Sequence, residues 1–470
     1  MSHREMIKDN LTKVLSYPND IYNSTYKQLL DNLIDTKKIK HKFNLANEEL
    51  KRNSFQFLIG YGSNNYFPNA RDENYIPVDW LPKILTYDQY TYIQKGVKQR
   101  AKAFNLFLHD LYLGNSTLIP DEIIKTSNFL SIKNQSLLFK HRIYAHIYGI
   151  DMVTDQKNKI YVLEDNLGFP AGMVYPQMLR QITKQYVPEL ITGYNIYNNS
   201  YTDEMYRMLS SLSDIEKPVV VYLQRGPGAV DFFEARLFSQ QTNIILADAE
   251  DLYFEEDGRV FLRLSNGRLK KIDVIYLRLT ERFRDLYESL TKTLMGGETA
   301  VVTFKGNMLP ADKAVFSYVP QLIQYYLGEE AILKQPNTLW LGDNSYRELI
   351  LSNIDKFVIK SRSGVGGKQV LIGNEANIET LDIWKSKVRN APESYIAQEI
   401  VYFSKFAKWD DQKEILMPVF SDLRMFGTIG KGNKVSVMQG GLCRFSSSTS
   451  RIVNTSSGGG VKDIWVQKDS

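Results

Sequence analysis

GIDMVTDQKNKIYVLEDNLGFPAGM, residues 149–173, carries two apolar runs on either side of a turn-rich DQKN. Residues 143–153 and 160–164 read as two strands joined by that turn. A tight turn at Lys157-Asn158 pairs position 156 with 159, and counting outward sets Asp151 opposite Glu164. Side chains two apart on a strand share a face, so Glu164 and Asn166 project together. Two carboxylates facing each other across a hairpin repel, which asks for a cation between them. Two carboxylates and an amide oxygen are hard donors, suited to Mg²⁺ that shares its other positions with water and phosphate. The plain alternative is an exposed hairpin with ordinary surface acids.

Further chemistry lies about two hundred residues downstream. In KSRSGVGGKQV (360–370), Lys360 ends an apolar strand, and Gly364, Gly366 and Gly367 let backbone amides approach phosphate oxygens. Lys360 and Lys368 supply charge. The segment is not a P-loop, because Lys368 is followed by Gln369, and it does not fit GxGxxG. A hairpin turn with a solvated lysine is the alternative. Gln398-Glu399 puts an acid inside the apolar strand YIAQEIV, which is costly unless it is paired, ligand-bound or outward-facing. Asp422-Leu423-Arg424 is an ion pair or an anion clamp. GGLCRF (440–445) and VNTSSGGGVKD (453–463) bring glycines together with Arg444, Asn454, Lys462 and Asp463, a site or a flexible near-terminal loop.

The surrounding chain sets the frame. Its 470 residues suggest about three domains. Hydrophobic residues at 43% and charged residues at 24% are ordinary for a globular protein and exclude disorder. No apolar run is long enough to span a bilayer, and MSHREMIKDN has no apolar signal core, so no membrane association and a cytoplasmic location are expected. A net charge of +5 is weak for this length and does not point to nucleic acid; the 29 Tyr and 23 Phe are spread through apparent core. Cys443 is the sole cysteine, which rules out an internal disulfide and reads as a packing residue. There are five histidines and no HExxH or CxxC, which argues against a zinc enzyme; His141 and His146 read as structural. Residues 1–50 read as amphipathic helices, 55–80 as loop, and 86–113 as a long helix with apolar residues at three- and four-residue intervals. From Pro218, VVVYL, a helical stretch, NIILA and DVIYLRL alternate as an α/β unit with a parallel sheet does. From Pro336 onward strands dominate.

Together these pieces resemble an ATP-grasp enzyme in an altered order. Segment 149–173 is similar to the metal segment of D-alanine–D-alanine ligases in the step from Asp151 to Glu164, the step to Asn166, and the trailing Pro170-Ala171-Gly172. Here it precedes the lysine–glycine loop. That order is the mark of the circularly permuted ATP-grasp family, type 2, often labelled glutathionylspermidine synthase-like. The resemblance extends from about Gly60 to Val466, through IPVDWLPKIL (76–85), GVKQRAKAFNLFLHDLY (96–112), LEDN (163–166), ADKAVFSYVPQLIQYYLGEE (311–330), YIAQE (395–399), DLR (422–424), GGLCRF and VNTSSGGGVKDIWV (453–466). Two places depart from the family pattern. Gly168 and Pro170-Ala171-Gly172 stand where Arg and Pro-Ser-Gly are usual, and Gln224-Arg225-Gly226 where Thr-Pro-Gly is usual. Both are expected to face substrate.

The resemblance implies an α+β protein with an α/β unit: a circularly permuted ATP-grasp fold with an inserted pre-ATP-grasp domain. The implied parts are 1–59, a helical segment; 60–215, carrying the magnesium site; 217–335, the pre-ATP-grasp domain; and 336–470, carrying the nucleotide-binding lysine and glycine loop. ATP and Mg²⁺ are the implied cofactors. Lys313, Lys360, Ser363, Gly364, Gly366, Gly367, Lys368, Gln398 and Glu399 would bind ATP, and Asp151, Glu164 and Asn166 would bind metal. Lys360, Arg424 and Arg444 would act on the transferred phosphoryl group. Arg100, Arg225, Arg278, Asn454 and Lys462 are candidates for binding substrate. The implied reaction joins a small-molecule or peptide carboxylate to an amine through an acyl phosphate. A phosphotransferase on the same fold and a non-catalytic ATP-binding scaffold are the rivals.

Overall fold

The computed structural model describes residues 29, 31–32, 39–53, 55, 76–129, 139–168, 170–224, 226, 229, 231–278, 283–364, 369–410, 415–446, 451, 453 and 459–468. Three strands come first: β1 (Lys83–Leu85), β2 (Ile147–Thr154) and β3 (Ile160–Leu167). The expected α/β unit follows with β4 (Val220–Leu223), β5 (Ile245–Ala247), β9 (Val274–Leu277) and β10 (Ala300–Val302) in one sheet of order β10-β9-β4-β5, every pair parallel. VVYL and VIYL, its inner strands, are buried at every position, as strands covered on both faces must be. β6 (Leu252–Phe254), β7 (Val260–Arg263) and β8 (Leu269–Lys271) form a small antiparallel sheet inside this unit.

β11 (Thr338–Trp340), β12 (Phe357–Ser361), β13 (Val370–Ile372) and β14 (Tyr395–Glu399) make a second four-stranded sheet, antiparallel, with its own small core of Leu341, Ile350, Ile359, Leu371 and Val388. The last strands are β15 (Lys405–Asp410), β16 (Ile415–Gly430), β17 (Lys434–Val437), β18 (Gly441–Phe445) and β19 (Gly460–Val466). They rejoin the first ones in an eight-stranded sheet of order β1-β19-β18-β16-β2-β3, with β15 and β17 also paired to β16. The segment 336–470 is therefore divided by strand pairing. Its first part forms the small sheet, and residues 405–466 complete the sheet that residues 83–167 begin.

One face of the large sheet is covered by the helix Tyr87–Leu113. Thr86 and Gln89 cap its start with a reciprocal pair of hydrogen bonds, and Gly114 ends it at φ 76°. Phe104 stacks on Tyr148, and Arg100 pairs with Asp165 on this back face. The front face carries Asp151, Asp422, Arg424 and Arg444, which share a face by register.

The hairpin β2–β3 reaches the expected pairing by an unexpected route. Its loop is one residue longer than a two-residue turn: Asp155 pairs with Lys159, Asn158 takes φ 59°, and the Asp155 carboxylate accepts the Lys157 and Lys159 N–H groups. That shifts Thr154 opposite Ile160. A bulge between Asp151 and Met152 then absorbs one residue of β3, and Asp151 does face Glu164.

Candidate active site

Strand register and bulge bring Asp151, Glu164 and Asn166 together on the front face. Asn166 Nδ2 lies 3.2 Å from Asp151 Oδ2 and 3.3 Å from Glu164 Oε1. The cations that such a pair of acids requires come from three other places. Arg424, directly across from Asp151 in β16, grips it with Nε and Nη2 at 2.6 Å each. Arg444, in β18, donates from Nη2 to Asp151 at 2.7 Å and also holds Asp422. Lys313, at the start of the short helix Lys313–Phe316, stands 3.3 Å from Glu164 Oε2.

Lys360 reaches toward the same acids from β12. Its Nζ donates to Gln398 Oε1 at 2.7 Å, and the Gln398 amide donates to the Thr338 hydroxyl at 3.0 Å. Burial lowers the Lys360 ammonium to about 8, against the pull of Glu164, so it remains charged at neutral pH. Burial would raise the Glu164 carboxyl, but Lys313 and Lys360 outweigh it and hold the group well below the usual carboxylate range. Burial also opposes the charge on Arg444, yet Asp151 and Asp422 keep it firmly protonated.

A turn after β3 links this cluster to the α/β unit, with two contacts to the unit and one to the cluster. The Thr303 hydroxyl donates to the Gly168 carbonyl at 2.9 Å, from a backbone at φ 70° that a β-branched residue seldom adopts. The Glu234 carboxylate accepts the N–H groups of Gly172, Met173 and Val174. Arg424 Nη1 donates to the Ala171 carbonyl at 3.1 Å. Gly168 sits at φ 90°, and a Cβ there would lie 2.8 Å from Thr303 Cγ2. Its departure from the family pattern thus serves packing against Thr303 and Met308, where a substrate-facing position had been expected.

Of the sequence candidates, the structure brings together Asp151, Glu164, Asn166, Lys313, Lys360, Gly364, Gln398, Arg424 and Arg444. Gly364 enters by its carbonyl, which accepts from Lys313 Nζ at 2.8 Å, and Ser363 sits beside it, its hydroxyl 3.2 Å from Asn128 Nδ2. Glu399 lies on the opposite face of β14 from Gln398, with its side chain exposed. Arg100 is on the back face with Asp165 and Gln335. Lys462 is there as well, 2.5 Å from Asp79 and 2.7 Å from the Ala407 carbonyl. Arg278 belongs to the α/β unit, 2.6 Å from Asp231 and 3.9 Å from Glu234. Arg225, Gly366, Gly367, Lys368 and Asn454 lie outside the described residues. The sequence reading passed over Asp312, Arg362, Thr303 and Glu234. ADK was read for its lysine alone, and the other three sit in segments whose partners are distant in the chain.

The Asp151 and Glu164 carboxylates are hard oxygen donors suited to a divalent cation such as Mg²⁺ shared with phosphate; Asn166 turns its amide nitrogen to both acids here, and its oxygen would face a cation only with the amide turned over. Glu164 is the better placed of the two acids; Asp151 already accepts from two arginines. Among the described residues no cluster of three His, Cys, Asp or Glu is a metal site, so a cation here would depend on Asn166 and on phosphate oxygens.

The family model for circularly permuted ATP-grasp type 2 proteins matches residues 82–446. The chain belongs to that family. An uncharacterised protein of Mycobacterium tuberculosis is 31% identical over 420 residues, covering 85% of this chain and 75% of its own length. One from Synechocystis is 30% identical, covering 88% and 89%. A Frankia casuarinae protein provisionally named a glutamate–cysteine ligase is 29% identical over 83% of this chain, but the match spans 47% of that protein. Among solved structures, a glutathione synthetase-like effector from Globodera pallida in its apo form superposes with a TM-score of 0.59 over 96% of this chain and 99% of its own, at 12% identity, a likeness of fold. No helix among the described residues is long and apolar enough to cross a membrane.

Proposed function

We propose that this protein is an ATP- and Mg²⁺-dependent ligase that joins a carboxylate to an amine through an acyl phosphate, releasing ADP and phosphate. The observation that carries the reading is the convergence of Lys313 and Lys360, from two separate elements, on Glu164 in a third, beside an Asp151 held by two arginines. The two lysines neutralise the triphosphate. Mg²⁺ would be held by Glu164, by Asn166 through its amide oxygen, and by Asp151 Oδ1, which accepts from Arg424 alone, and would neutralise charge on the triphosphate. Arg424 and Arg444 would stabilise the charge that gathers on the transferred phosphoryl group. Gln398 fixes the Lys360 ammonium. The α/β unit at 217–335 acts as the pre-ATP-grasp domain, setting the turn at 168–174 beside Arg424. The small sheet at 338–399 and the front face of the large sheet, built from 83–167 and 405–466, supply the two walls of the nucleotide site.

The glutamate–cysteine ligase name belongs to a relative more than half of which lies outside the match, so the name can derive from that other part. The substrates are a small-molecule or peptide acid and an amine, with no narrower class proposed. The test is thermal unfolding of wild type and Glu164→Ala with and without Mg·ATP. A ligand at 100 times its Kd stabilises by about 2.7 kcal/mol. Wild type should show that shift and the variant should lose its magnesium-dependent part. No response at millimolar Mg·ATP would favour a scaffold whose nucleotide site no longer binds. ADP release on an acid–amine pair with amide formed, as opposed to a phosphorylated hydroxyl, separates the ligase from a phosphotransferase.

A further inference from the structure

Arg362 lies two residues beyond Lys360, and Asp312 lies one residue before Lys313. The two are joined by a fork: Arg362 Nε to Asp312 Oδ1 at 2.9 Å and Nη2 to Oδ2 at 2.8 Å. Every N–H of the guanidinium has an acceptor. Nη1 donates to the Thr126 hydroxyl at 2.8 Å and to the Glu393 carbonyl at 3.2 Å, and Nη2 donates also to the Ile123 carbonyl at 2.8 Å. The Asp312 carboxylate is equally committed, accepting the Ala314 N–H at the helix start and the Ser127 hydroxyl. Both side chains are buried, at 5% and 1% exposure, and neither touches the acids of the site.

The main chain repeats the connection. The Lys313 N–H donates to the Arg362 carbonyl at 3.3 Å, and Lys313 Nζ donates to the Gly364 carbonyl. The small sheet that carries Lys360 and the body that carries Lys313 are thus pinned between the two lysines, beside the apolar contacts of Trp340 and Ile396 with the main core. Such a buried fork fixes distance and angle better than a flexible lysine pair could.

We infer that Asp312 and Arg362 are positioning residues that set the separation of Lys313 and Lys360, and so the affinity of the site for a polyphosphate. This rests on the ATP reading of the same site. A pair that served only to hold the fold together would change the melting temperature and leave nucleotide affinity alone.

The test is calorimetric titration of the full chain with Mg·ATP, at a temperature where circular dichroism shows each variant folded. Lys360→Ala serves as the control for the site. Asp312→Asn keeps the helix cap and the volume but removes the charge; Arg362→Lys keeps the charge but removes the fork. If the inference holds, each weakens Mg·ATP about tenfold or more, and Asp312→Asn combined with Lys360→Ala costs clearly less than the product of the two single losses, because both act through one lysine. It is overturned if Lys360→Ala weakens binding while Asp312→Asn and Arg362→Lys stay within about twofold of wild type, or if the double variant shows the full product. If wild type itself fails to bind, the ATP reading falls and this inference falls with it.

Discussion

The large sheet buries charge in two ways: in fixed pairs, which line the back and include Arg180 with Asp463 on the front, and in the cluster around Glu164. On the back, Arg100 and Asp165 meet at 1% and 0% exposure, and Lys462 and Asp79 at 2% and 0%. Each charge has a fixed counter-charge and no access to solvent. On the front, Glu164 keeps 28% of its side chain accessible, and the cations facing it come from elements that share no strand pairing with β3. Asp151 has two arginines, Asp422 shares one of them, and Glu164 has two lysines nearby. Buried charge alone does not mark a functional site. Convergence from separate elements, with accessibility left over, does.

The sharpest break of this comparison is on the back face. Arg100→Ala leaves Asp165 buried without its main partner, and burial already pushes that carboxyl up against the pull of Arg100. A loss of about 3–5 kcal/mol in stability is expected, read by urea unfolding. The front-face variant Glu164→Ala should instead abolish the magnesium-dependent ligand response, with a smaller loss of stability than Arg100→Ala because its site stays open to water. If the two variants traded these phenotypes, the assignment of the faces would be reversed.

A second prediction concerns a buried group with no counter-charge. His146 precedes β2, and its Nδ1 has no hydrogen-bond partner among the described residues. Burial, with His141 nearby, lowers the ring to about 3. The folded state therefore takes up the proton later than the unfolded chain does as pH falls. Stability should decline from about pH 6.5 downward, by about 2 kcal/mol at pH 5, and the decline should continue toward pH 3. His146→Gln should flatten that part of the pH profile, whatever its own cost at pH 7. An unchanged profile would show that the ring protonates freely in the fold.

The smallest effect expected is at the helix that covers the back face. Thr86→Ala removes half of its capping box. It should cost about 1 kcal/mol by thermal unfolding and leave the Mg·ATP shift intact. A change in nucleotide response would mean that the two faces are coupled through the sheet.

The sequence was legible where the chemistry is local. The acids of 149–173 and their alternation are written in one short hairpin, and their facing positions followed from counting. Even there two irregularities, the longer loop and the bulge, cancelled each other, and neither has a signature in the letters IYVLEDN. The parallel sheet was legible in VVVYL and DVIYL, because a strand covered on both faces must be apolar throughout. Lys462 and Arg100 were misplaced for a related reason. Alternation says which residues share a face, but not which face meets the site.

By itself, the sequence determined the types of group available: hard oxygen donors, lysines beside glycines, arginines on strands, and no thiol or histidine cluster. These are properties of short segments, and local geometry suffices to present them. Only the tertiary structure decided which of them meet. Strands 83–167 and 405–466 pair across more than two hundred intervening residues, and Asp312 finds Arg362 across fifty. Such contacts form because a sheet edge must find a partner and a buried ion must find a counter-ion. Neither requirement names its partner in the sequence.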